Sequence, residues 1–116
     1  MTAATIAQGL FTGPAWDKRN QAEAIYREIM AATWPSSREA MAAIGQARDY
    51  LLGELDVHAR LLNGCMDWRE FDPDLWWFDG DRQEQAITIA ADRAYDAALA
   101  LRNRLAEYQG RERRAS

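Results

Sequence analysis

With a single cysteine in 116 residues, the chain cannot close an intramolecular disulfide, and the pattern suits a reducing, cytoplasmic compartment. Cys65 itself is expected to be a small buried hydrophobe and not a nucleophile. No apolar run approaches the roughly 18 residues that a membrane span needs. The opening Met1 to Leu10 has neither the positive start nor the apolar stretch of a secretory signal, so neither secretion by that route nor a membrane partner is expected. Histidine and lysine also occur once each, as His58 and Lys18, while thirteen of the fourteen basic residues are arginine. That arginine and alanine bias points to a GC-rich bacterial or phage genome. Glycine-rich phosphate loops, a Gly-x-Ser-x-Gly elbow, His-Glu-x-x-His and a repeated Glu-x-x-His are all missing, so the common routes to nucleotide, acyl-transfer and metal chemistry have no motif.

What the chain does have is apolar content, 48% of its residues, at helical spacing. One domain spanning 1–116 is expected, with 1–12 and 111–116 flexible. Gly13-Pro14 suits a helix start, because proline in the first turn gives up an N–H that would have no partner there anyway. Ala22, Ile25, Tyr26, Ile29, Met30 and Thr33 then form an inward stripe that ends at Trp34-Pro35. Ser36 with Glu39 three residues on reads as a capping box opening a second helix. Its stripe runs Ala40, Ile44, Ala47, Leu51, Leu55, His58 and Leu62, and Asn63-Gly64 stops it. Gly45 and Gly53 in its interior mark either the close approach of another helix or a bend. A third helix is expected over about 81–109, with Ile87, Ala91, Ala94, Ala98, Leu101, Leu105 and Tyr108 inward and Gly110 as its terminator. The fold class is therefore all-α: three long antiparallel helices in a bundle, with a short helix within the 72–78 connection. The long stripes also make a homodimer an alternative to a monomer.

The most unusual stretch is 67–84, where seven acids face only Arg69 and Arg82. Its net charge of −5 exceeds the −4 of the whole chain, so the acidity is local. The same stretch carries Trp68, Phe71, Trp76, Trp77 and Phe78. Large rings beside carboxylates can anchor and steer a basic partner; equally, rings can plug the end of a bundle while aspartates cap helices. The expectation is that the rings divide between the two jobs. The partner-binding candidates are Trp68, Glu70, Asp72, Asp74, Trp76, Trp77, Phe78, Asp79 and Asp81. With no basic stripe beside these aromatics, direct nucleic-acid binding is not expected.

These residues favour a non-enzymatic module that binds a larger protein or nucleoprotein complex with a basic surface. Small helical proteins of this style occur among phage-encoded inhibitors of bacterial defence, of the anti-CRISPR or anti-restriction type, which is an analogy of size and composition. The alternative is a self-assembling structural or adaptor protein. A third reading is a carboxylate–metal enzyme drawing on Glu54, Asp92 or Asp96. No cofactor, metal site or catalytic residue is expected on the leading reading.

Overall fold

The computed structural model describes residues 13–115, all of whose regular structure is helical. Helix α1 spans Pro14–Ala31, α2 spans Arg38–Leu62, α3 is the single turn Trp68–Phe71, a 3₁₀ turn covers Pro73–Trp77, and α4 spans Arg82–Ala115. Of the two ends expected to be flexible, 1–12 lies outside the described residues. The other end differs from expectation: α4 runs through Gly110 to Ala115. Helical pairing carries it across the glycine, since Arg111 bonds Glu107 at 2.6 Å one turn back and also approaches Glu39 of α2.

Helix α4, 34 residues and so about 50 Å long, is the spine on which α1 and α2 both pack, while those two touch each other only sparingly. Contacts at each end fix the directions. Lys18 meets Asp92 and Gln109 reaches the Thr33 carbonyl, so residue numbers rise together along α1 and α4. Tyr108 meets Glu39 and Gln83 reaches the Leu61 carbonyl, so α2 and α4 run opposed.

The main core joins Ala22, Ile25 and Ile29 of α1 and Ala40, Ile44 and Leu51 of α2 to the alanine-rich face of α4. All seven expected α4 positions are buried, and so are Ala86, Ala90 and Ala97. The expected stripe was too narrow because a spine helix is covered on more than one side. Of the stripe expected for α1, Met30 and Thr33 are exposed, not inward, and the helix stops at Ala31, two residues earlier than the spacing suggested.

Helix α2 opens one residue later than the capping box implies. The N-cap is Ser37, whose hydroxyl accepts the Ala40 N–H at 3.1 Å, and Glu39 turns away to meet the Tyr108 hydroxyl at 3.3 Å. The helix continues unbroken past Gly45 and Gly53. Neither glycine accommodates a tightly packed neighbour: a methyl group at Gly53 would meet nothing within 4 Å, and at Gly45 only the Arg48 side chain, at 3.8 Å. Among the described residues no helix is long and apolar enough to cross a membrane.

Candidate functional site

The acidic-aromatic connection is built by a chain of caps. Helix α2 ends in a Schellman arrangement: the Cys65 N–H bonds the Arg60 carbonyl at 2.8 Å, the Gly64 N–H bonds that of Leu61 at 3.3 Å, and Gly64 takes φ +75°, which only glycine adopts without strain. Cys65, expected inside, is exposed because this turn carries it out over the helix end. Asp67 then accepts the Arg69 N–H and starts α3, Asp72 accepts the Asp74 N–H and starts the 3₁₀ turn, and Asp81 accepts the Glu84 N–H and starts α4. Three of the seven acids of this stretch are therefore engaged in ending or beginning helices, where the free N–H groups and the helix dipole favour negative charge.

Two apolar pegs hold the connection down. Trp68 and Leu75 are buried in a second cluster with Leu61, Ala86, Ile87 and Ala90. Trp68 is only 9% exposed, and the Arg69 and Arg82 guanidinium groups lie over its ring at 4.8 and 5.4 Å. Its indole belongs to the core and leaves the partner-binding set. Polar ties complete the fastening. Gln83 donates to the carbonyls of Leu61 and Met66 and accepts the Trp68 N–H, so one side chain joins the end of α2 to the start of α3. Arg82 donates to the carbonyls of Leu75 and Trp76, at 3.2 and 2.7 Å.

On this fixed backbone Trp76 and Trp77 face outward, 68% and 66% exposed. They are the most exposed large apolar side chains of the described residues. Phe78 is half-buried and meets the Trp77 ring edge-on at 6.2 Å. Gly80 lies under Phe78, where an added methyl group would come within 2.9 Å of its ring. Glu70, Asp74, Asp79 and Asp81 are exposed and Asp72 is half-buried. Asp74, Trp76 and Trp77 thus stand exposed on the 3₁₀ turn, with the exposed Asp79 two residues past its end, while Asp67, Asp72 and Asp81 serve the backbone.

Sequence reasoning passed over Leu75, Arg82 and Gln83, which do the positioning. A signal existed for Gln83: it stands one helical turn before Ile87 on the inward face of α4, an unusual place for an amide unless it has partners. For Leu75 there was none, because a five-residue 3₁₀ turn is too short to show a period, and for Arg82 there was none because its bonds go to backbone carbonyls of a separate element.

The other chemistry-bearing residues are dispersed. His58 is 2% exposed, packed near the Trp16 ring at the seam of α1 and α2. Burial, and then the positive charge of Arg19, hold its pKa below the ordinary histidine value. Asp92 is engaged by Lys18 at 2.7 Å, and that bond, with the Asp92 charge, raises the lysine pKa. Asp56 pairs with Arg60. Among the described residues, no three His, Cys, Asp or Glu side chains converge to hold a metal ion.

Compared with protein-family models, with curated proteins and with solved structures, the chain finds no match in any of the three.

Proposed function

We propose that the chain is a non-enzymatic protein-binding module that docks through the outward turn bearing Trp76 and Trp77. The observation that carries this reading is the exposure of two adjacent tryptophans on a backbone held by Leu75, Arg82 and Gln83. An isolated exposed ring needs no explanation, but two neighbouring indoles are costly to leave in water, and tryptophan is the residue most enriched at binding hot spots. Holding the turn in advance lowers the ordering cost of association. Asp74 on the same turn and Asp79 just past it supply charge that would steer a basic surface toward the rings.

On this reading α1, α2 and α4 form an up-down-up bundle whose task is to present the turn, and the partner is a larger protein or nucleoprotein complex. Blocking such a complex, in the manner of phage-encoded anti-CRISPR or anti-restriction inhibitors, is the activity that this size and surface best fit. The test is an affinity capture from bacterial lysate at low salt, with and without nuclease, comparing wild type with a Trp76→Ala/Trp77→Ala variant. The expected result is a nuclease-resistant protein partner held by wild type and lost by the variant. Equal capture by both proteins counts against the site.

A second reading, self-assembly, draws on Met41, Tyr50 and Leu52, which are exposed on α2. Light scattering after gel filtration tests it, and a clean monomer across the working concentration range removes its premise.

A further inference from the structure

Three of the five tryptophans lie under an arginine. Arg19 sits over Trp16 at 5.0 Å, Arg48 over Trp34 at 5.7 Å, and Arg69 over Trp68 at 4.8 Å. Phe71 and Tyr108 have the same cover, from Arg93 and Arg111, each at 4.7 Å. Trp76 and Trp77 are the two tryptophans without such cover: among the described residues no cation lies over either ring. Nor is one left nearby to do so. Arg82 is held by two carbonyls and lies against Trp68, Arg69 pairs with Asp67, and the only lysine is engaged with Asp92. Asp74 and Asp79, two residues to either side of this pair along the chain, are likewise exposed, and their carboxylates have no hydrogen bond or ion pair among the described residues.

We infer that this turn recognises arginine: guanidinium groups on a protein partner stack on Trp76 and Trp77, while Asp74 and Asp79 accept their N–H groups. The inference rests on the docking reading above and specifies the chemistry of the partner. Arginine fits better than lysine for three reasons. Its planar cation stacks flat on an indole, its fork of donors matches a carboxylate with two parallel bonds, and it gives up water more readily than an ammonium group. Two rings with flanking carboxylates on a turn already fixed offer both interactions to one side chain without reorganisation.

The experiment is calorimetric titration of the whole chain with hexaarginine and hexalysine peptides at matched ionic strength, so that net charge is equal and only the cation differs. Wild type is expected to bind hexaarginine on the order of tenfold more tightly than hexalysine. The Trp76→Ala/Trp77→Ala variant should lose that difference. Equal affinity of wild type for the two peptides overturns the inference, as does a preference that persists in the variant. Circular dichroism establishes that the variant is folded. If it is not, Asp74→Asn/Asp79→Asn carries the test, with a severalfold weakening for hexaarginine expected and an unchanged affinity overturning the proposal. Equal peptide affinities together with a lysate partner still lost by the tryptophan variant reject arginine recognition and leave the docking reading standing. Self-association of wild type alone, abolished in the same variant, rejects a separate partner and assigns the site to a second copy of this chain.

Discussion

The Gln83 side-chain oxygen accepts the backbone N–H of Trp68 at 2.8 Å, and the same amide donates to the carbonyls of Leu61, at the end of α2, and Met66, just before α3. A buried helix end needs partners for its unpaired backbone groups, and here one glutamine on the spine helix satisfies groups of two neighbouring elements. Gln83→Ala is therefore expected to destabilise the protein by about 2–3 kcal/mol, from lost hydrogen bonds and stranded partners. Gln83→Glu keeps the shape and the acceptor but aims negative oxygen at the Leu61 and Met66 carbonyls. It should be at least as damaging as alanine near neutral pH and milder in acid, where the carboxyl regains a donor. Urea denaturation of the three proteins at two pH values checks both expectations.

The tryptophans of the connection should separate cleanly by mutation. Trp68→Ala removes a ring from the cluster with Leu61 and Ile87, and should cost about 3–5 kcal/mol. Trp76→Ala and Trp77→Ala remove solvent-facing rings, and each should change stability by no more than about 0.5 kcal/mol. Thermal melts followed by circular dichroism distinguish the two classes. A large loss from either of the second pair would place that ring in the fold and remove it from the docking surface.

The pattern of residues disclosed the helices better than their ends. Inward positions such as Ile25, Ile44 and Leu101 were legible because burial repeats with the helical period over many turns. Helix starts were less so: Ser36 reads as the cap from its spacing to Glu39, yet Ser37 takes that role by accepting the Ala40 N–H, and Glu39 meets the Tyr108 hydroxyl of α4 instead. Gly110 read as a terminator because glycine ends many helices, yet side-chain pairs from Arg111 to Glu107 and Glu39 carry the helix over it. In the connection, the acidity and the aromatic content were visible, but not which rings face inward. A five-residue 3₁₀ turn has no periodicity to read, and Trp68 is buried through contacts with residues distant in sequence.

The helical glycines make a signed test of that account. Gly53 has open space around its missing side chain, and Gly110 has only the Arg114 guanidinium, 4.0 Å away. Gly53→Ala and Gly110→Ala should each raise stability by about 0.5–1 kcal/mol, since alanine gives up less backbone entropy in a helix. Gly64→Ala should do the reverse and cost about 1–2 kcal/mol, because its φ of +75° lies in the left-handed region. Melting temperatures rising for the first two and falling for the third would establish both the continuity of α2 and α4 and the turn between α2 and α3.

His58 gives the fold a predictable weakness to acid. Its pKa is lowered in the folded state by burial and by Arg19, so on acidification the unfolded chain takes up a proton near the ordinary value of about 6.5 before the native protein does. Stability from this residue is thus complete above that value and declines as pH falls through it, levelling off only below the depressed native pKa. One proton limits the slope to about 1.4 kcal/mol per pH unit. His58→Leu fills the site beside Trp16 with a side chain that cannot titrate, so its stability should stay level across the upper part of this range, where wild type declines. Denaturation midpoints between pH 7.5 and pH 5.5 compare the two, and parallel curves would mean that His58 is protonated as readily in the fold as out of it.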